Sequence, residues 1–254
     1  MDWNNNTLKR YMEAGLAALI VLTLGLAGAT GVLSPRAAES EQTEAAVEED
    51  STKAGEENEN KDAATNPDTE ETQETIADGQ YPIMGNSDVT VQEMVDYFNA
   101  SGEVYPAEEL SEGGADSIET FCQMYYDEAT AEGVRPEVAF AQTMKETGFL
   151  QYGGDASIEQ FNFAGLGTTG NGVPGNSYPD VQTGIRAQIQ HLKAYATSDS
   201  LNQECVDDRY EYVKKGSAPY VQWLGQQENP EGVGWATGDN YGYDIVGMIE
   251  DMVE

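Results

Sequence analysis

Residues 136–149 read PEVAFAQTMKETGF, and the fold turns on this stretch. Pro136 suits a first helical position, where its missing N–H costs nothing, and Gly148 suits the residue just past a last turn. Apolar residues fall on nearly every side between them, which predicts a helix buried in the core. Glu146 sits in the last turn of this helix. The macrodipole is negative there and the surroundings are dry, so both effects disfavour the carboxylate and raise its pKa. A carboxyl that stays protonated near neutral pH is what a general acid needs to protonate a glycosidic oxygen. The other reading is a helix-end glutamate turned to solvent beside Lys145. Glu137, in the first turn, reads as a helix-dipole residue.

Further helices flank this one. Thr90-Val-Gln-Glu93 has capping-box spacing, and Val91, Met94, Val95 and Phe98 follow at helical intervals, giving a short amphipathic helix that ends near Gly102. Asp116-Ser-Ile-Glu119 repeats the device, and Ile118, Phe121, Cys122, Tyr125 and Ala129 form one face up to Gly133. Between Gly153 and Pro179 the helical period vanishes among glycines, Asn, Thr and Ser, which predicts loops with a small sheet or hairpin. Helix resumes at Asp180, with Val181, Ile185, Ile189 and Leu192 on one stripe, and again near Tyr243, with Ile245, Met248, Ile249 and Met252. The expected architecture is mainly α within the α+β class: a two-lobed domain with a small β/loop lobe and a cleft between the lobes. No internal repeat is visible.

Several chemistries lack their parts. His191 is the sole histidine, and its helix supplies no second ligand, so neither a zinc site nor a Ser-His-Asp triad is supported. A packing or surface role fits it. Gly165-Leu-Gly-Thr-Thr-Gly170 matches G-x-G-x-x-G, but Asn171, Gly172, Pro174 and Gly175 stand where a helix must begin, so a dinucleotide site is rejected. Nothing requires a metal or cofactor. For a second carboxylate, Asp180 faces two readings: a partner of Glu146 across the cleft, or the N-cap of the following helix. Asp155 and Glu159 are further candidates. Tyr152, Phe161, Phe163, Tyr220, Trp223 and Trp235 fall in or near predicted loops, where rings can stack on sugars; core packing is the competing use.

Three ordered segments resemble the glucosaminidase domain of bacterial autolysins and flagellar peptidoglycan hydrolases, glycoside hydrolase family 73, with its lysozyme-like fold. AFAQTMKETGF (139–149) resembles the family helix AQ-x-x-x-E-[ST]-G, whose Glu is the general acid and maps onto Glu146. FNFAGLGTTG (161–170) resembles the cleft-lining N-[LF]-F-G-I-K, with Asn162, Phe163, Gly165 and Leu166 in register and Ala164 and Gly167 departing from it. WATGDNYGYDI (235–245) resembles YATDPxYAxKI, whose second aromatic is a catalytic-site Tyr and maps onto Tyr241; Trp235 replaces the first Tyr. The resemblance covers about residues 115–250. It implies hydrolysis of the β-1,4 bond after N-acetylglucosamine in peptidoglycan, with Glu146 and Tyr241 as catalytic residues and with either Asp180 or the substrate's own 2-acetamido carbonyl assisting from the other face. Tyr152, Asn162, Phe163, Gly165, Tyr220, Trp223 and Trp235 are the expected substrate-binding residues. Two other functions stay open at this point: a non-catalytic wall-binding module, or a hydrolase of different specificity, namely a muramidase, an amidase or a glycan endo-β-N-acetylglucosaminidase.

The domain occupies residues 81–254, which hold 29 acids, seven bases and most of the aromatic residues of the chain. Residues 14–33, AGLAALIVLTLGLAGATGVL, carry no charge and match the length of a hydrocarbon core of roughly 30 Å. Lys9 and Arg10 precede this run and Arg36 alone follows, so residues 1–13 are expected in the cytoplasm and everything after the run outside. Ala27-Gly28-Ala29 also offers a signal-peptide cleavage site, which would make the protein secreted. Residues 37–80 contain fifteen acids, two lysines and no aromatic residue, a composition that predicts a disordered acidic tether. Cys122 and Cys205 would then meet an oxidising compartment, as one disulfide or as two free buried thiols. The formal charge of −34 excludes nucleic-acid binding, which rests on Lys and Arg neutralising phosphates. The expected partners are glycan strands and, through residues 14–33, a membrane, with the protein a monomer.

Overall fold

A computed structural model of the chain describes residues 79–170 and 172–254, and six α-helices and three 3-10 turns lie among them. The expected membrane segment and nearly all of the acidic tether fall outside the described residues. No described helix is long and apolar enough to cross a membrane.

Local signals set most of the boundaries. Helix α1 (Val91–Ala100) opens with a capping box in which Thr90 Oγ1 accepts from the Glu93 N–H at 3.2 Å and the Glu93 carboxylate accepts from the Thr90 N–H at 2.7 Å. A short helix α2 (Ala107–Ser111) follows. Helix α3 (Ile118–Glu132) is capped by Ser117, whose hydroxyl accepts from the Thr120 N–H. The expected cap was one residue earlier: Asp116 instead accepts from the Thr120 hydroxyl. Helix α4 (Pro136–Thr147) has Pro136 in its first turn and ends at Gly148, which takes the left-handed conformation that only glycine adopts at little cost. Helix α5 (Val181–Ala196) begins at Asp180, and helix α6 (Tyr241–Val253) at Asn240.

Helix α4 packs on α3, α5 and α6, while α1 packs on α3 and α6. Val138, Ala139, Phe140, Ala141 and Met144 of α4 are fully buried, as an apolar helix in this position requires. Phe121 anchors the core aromatic cluster, with its ring 5.1 Å from both Tyr125 and Phe163.

The expected β lobe is not a sheet. Residues 153–179 contain a 3-10 turn, Ile158–Gln160, and an isolated bridge between Gly170 and Val173, and no strand occurs among the described residues. Side chains replace the ladder as partners for the loop backbone. Gln160 Nε2 donates to the carbonyls of Pro174 (3.1 Å) and Asn176 (3.0 Å). Asn162 Nδ2 donates to Leu166 O (2.9 Å) and Asn176 O (3.1 Å), and its Oδ1 accepts from the Leu166 N–H (2.9 Å). Backbone groups that need partners find them without strand pairing.

The first described segment is stitched into the domain. Val221 N–H donates to Tyr81 O (2.8 Å), Ile83 N–H to Pro219 O (3.0 Å) and Arg135 N–H to Ile83 O (2.9 Å). Tyr81 N–H donates to Gln222 Oε1 (3.0 Å), and its hydroxyl donates to Glu137 Oε1 (2.7 Å). Glu137 is therefore buried in a bond to Tyr81, 3.8 Å from Arg135, and is more than the simple helix-dipole residue its position suggests. Cys122 and Cys205 are both free, the first buried and the second exposed, so they form no disulfide and only one is a buried thiol.

Candidate active site

Two helix ends meet at the site. Glu146 occupies the last turn of α4, and Tyr241 is the first residue of α6. The Tyr241 hydroxyl donates to Glu146 Oε1. Lys145 lies alongside, 5.6 Å from the centre of the Tyr241 ring, with its ammonium donating to Asp244 Oδ2 at 2.9 Å. Glu146 keeps part of its surface open to solvent while its carboxyl is packed among protein atoms. Burial pushes its pKa up to about 7, against the opposing pull of the Tyr241 hydrogen bond and the Lys145 charge. Tyr241 is itself buried, and burial together with the Glu146 carboxylate holds its phenol well above the ordinary value. Near neutral pH the pair comprises a carboxyl close to half-protonation and a phenol that keeps its proton.

The position of Tyr241 is enforced by close packing. A Cβ on Gly242 would lie 2.1 Å from the Val221 carbonyl oxygen, so only glycine lets α6 rest on the 3-10 turn Val221–Leu224. Glu228 Oε1 accepts from the Asn240 N–H at 2.7 Å and braces the corner before Tyr241, where Asn240 has a left-handed backbone. Sequence reading missed Glu228; the Gln226-Gln-Glu-Asn229 stretch has no periodicity that marks it.

Beneath Glu146 and Tyr241 runs a buried polar chain. Gln142 Nε2 donates to the Tyr241 oxygen (3.1 Å), and Gln142 Oε1 accepts from Gln188 Nε2 (2.9 Å). Gln188 Nε2 also donates to the Ala139 carbonyl (3.0 Å), while Gln188 Oε1 accepts from Tyr125 (2.7 Å) and Thr143 (2.9 Å). All of these side chains are buried, and together they join α3, α4, α5 and α6. Buried glutamines satisfied in this way rigidify the core around them.

The other expected site residues divide. Asp180 Oδ1 accepts from the Thr183 N–H at 2.7 Å and serves as the N-cap of α5. Phe163 is fully buried against Phe121, so its ring belongs to the core and is not offered to a sugar. Asn162 is buried too, with its amide bonded to loop backbone. Trp235 packs edge-on against His191 at 5.0 Å and is 4% exposed, too covered for a stacking platform. Tyr220 and Trp223 pack edge to face at 5.2 Å and stay partly exposed, as does Tyr152, whose hydroxyl donates to Asn162 O at 3.4 Å. Gly165 lines a recess of about 20 Å³ together with Leu166, His191, Arg209 and Trp235, room for one water-sized group. His191 is buried and its Nδ1 lies 2.7 Å from Asp207 Oδ2. Among the described residues no group of His, Cys, Asp and Glu could hold a metal ion.

Residues 122–254 match the sequence profile of the Glucosaminidase family, described as mannosyl-glycoprotein endo-beta-N-acetylglucosaminidase. An uncharacterized protein of Borreliella burgdorferi is 44% identical over 104 residues, which make up 41% of this chain and 51% of that protein. The chain spans about half the length of that relative. No solved structure matches the chain significantly.

Proposed function

The chain belongs to the glucosaminidase family, and from that premise we propose that it is an extracytoplasmic peptidoglycan hydrolase of lysozyme-like fold. It cleaves the β-1,4 bond after N-acetylglucosamine, with Glu146 as general acid. The observation that carries this reading is the pairing of Glu146 with Tyr241 at the junction of α4 and α6. A partly open carboxyl with a pKa of about 7 holds a transferable proton at neutral pH, and the buried phenol beside it stabilises the carboxylate left after transfer.

In the proposed mechanism Glu146 protonates the leaving glycosidic oxygen. Asp180 Oδ1 is engaged as a helix cap, which favours, of the two groups the family resemblance offers, the substrate's own 2-acetamido carbonyl as the one that assists from the opposite face. Tyr152, Tyr220 and Trp223 are the partly exposed rings available for contact with the glycan. The domain stands outside the membrane on the anchor and tether expected for residues 14–80, and acts as a monomer.

The test is to digest peptidoglycan with the full-length protein, reduce the products with borohydride and identify the new ends by mass spectrometry. Reduced glucosamine ends support the proposal; muramitol ends or free stem peptides overturn it. The family description favours a second reading, a glycan endo-β-N-acetylglucosaminidase. Release of glycans from a high-mannose glycopeptide, with intact peptidoglycan left undigested, would establish that reading instead.

A further inference from the structure

The buried chain behind Tyr241 has a direction. A backbone carbonyl only accepts, so the amide group of Gln188 nearest Ala139 O is its NH₂. The other N–H of that NH₂ reaches Gln142, which must present its Oε1 there. This turns the NH₂ of Gln142 toward Tyr241, where it donates to the phenolic oxygen. A phenol has one proton. With Gln142 donating to its oxygen, the proton of Tyr241 goes to Glu146 Oε1. Tyr125 and Thr143 share a 2.6 Å hydrogen bond of their own, and the hydroxyl that is left to donate reaches Gln188 Oε1, in keeping with the same amide orientation.

We propose that Gln142 and Gln188 are positioning residues that lock Tyr241 as a donor to Glu146 Oε1 and so confine the acid proton of Glu146 to Oε2. Neither glutamine touches substrate; both act through Tyr241. The catalytic role of Glu146 is taken from the function proposed above, and the hydrogen-bond direction is measurable whether or not that function holds. Without the lock, Tyr241 could rotate and accept the proton of a neutral Glu146, trapping it in an unproductive bond. The charged and titratable groups acting on Glu146 are Lys145 on its own helix and Tyr241 on α6, and Lys145 is itself paired with Asp244.

The experiment follows the Glu146 carboxyl carbon by ¹³C NMR against pH in the full-length protein and in Gln142→Met, Gln188→Met and Tyr241→Phe. Loss of the donated bond raises the Glu146 titration midpoint, by about half a unit or more, in Tyr241→Phe and Gln142→Met. The decisive variant is Gln188→Met, which contacts neither Glu146 nor Tyr241 and is expected to move the midpoint in the same direction. A purely structural role for Gln188 would lower thermal stability and leave the midpoint where it is, and that result overturns the proposal. Neutron diffraction from deuterium-exchanged wild-type crystals tests the lock even if a variant does not fold. The expected density has the Tyr241 deuteron directed at Glu146 Oε1 and any acid deuteron on Oε2; a deuteron on Oε1 overturns it. Wild-type protein that shows this polarity but no hydrolysis would refute the enzymatic reading alone.

Discussion

Tyr241 donates its phenolic proton to Glu146, joining the start of one helix to the end of another 95 positions earlier in the chain. The Glu146 carboxyl is therefore held by tertiary packing, and its raised pKa follows from burial more than from its position in α4.

Replacing Glu146 by Gln keeps the acceptor for Tyr241 and removes the proton donor. Glu146→Gln is expected to fold and to lose hydrolysis by about 10²–10⁴-fold. Release of reducing ends from peptidoglycan, with circular dichroism as the fold control, checks this; turnover like wild type would exclude Glu146 as the acid.

The raised pKa also has a stability consequence of definite sign. Between the ordinary value of 4.5 and the folded value of about 7, the folded protein binds the Glu146 proton more tightly than the unfolded chain does. Stability contributed by this group is full below 4.5 and is lost as pH rises through 7, by at most about 3 kcal/mol for a partly open carboxyl. Glu146→Gln should therefore melt higher than wild type at pH 8, with the gap closing by pH 4. Equal gaps at both pH values would contradict the burial argument. The hydrolytic rate, which needs the protonated acid, should hold at lower pH and fall as pH rises through about 7.

Gly242 touches no substrate in the proposed mechanism, yet Gly242→Ala is expected to impair both stability and hydrolysis. Its new methyl meets the Val221 carbonyl, which is backbone and must shift. A loss of about 1–3 kcal/mol is expected in denaturant unfolding, as for other overpacked sites.

Asp180 separates charge from capping. Asp180→Asn keeps a side-chain acceptor for the Thr183 N–H and should retain stability and activity, whereas Asp180→Ala should lose about 1 kcal/mol. An inactive but stable Asp180→Asn would restore Asp180 as a second catalytic carboxylate.

Thiol titration checks the cysteines. Cys205 should react with an aromatic disulfide reagent in the native protein, and Cys122, buried with its thiol pKa pushed up by that burial, only after unfolding. A protein with no titratable thiol even when denatured would mean a disulfide.

Legibility in the sequence followed the reach of the interactions. Thr90 with Glu93, Gly133, and Pro136 with Gly148 act within one or two turns, and each marks a helix boundary where expected. The sequence pattern places the start of α6 near Tyr243, two residues late, since Asn240 makes no side-chain cap and leaves no local mark. The glycine-rich stretch reads as weakly β from composition, but Gln160 and Asn162 meet its backbone's needs, which no period-2 pattern reports. Glu146 and Tyr241 are legible as separate residues; the glutamines behind them are not, because Gln142 and Gln188 are residue types common at surface positions and acquire their roles only when the helices that carry them and Tyr241 converge.

The stitched segment at residues 79–85 gives the domain a mechanical handle. Tyr81 grips Glu137 at the head of α4 and, through Gln222 and Val221, the turn on which α6 rests. Displacement of residues 79–85 would thus disturb together the two supports whose alignment brings Glu146 and Tyr241 side by side.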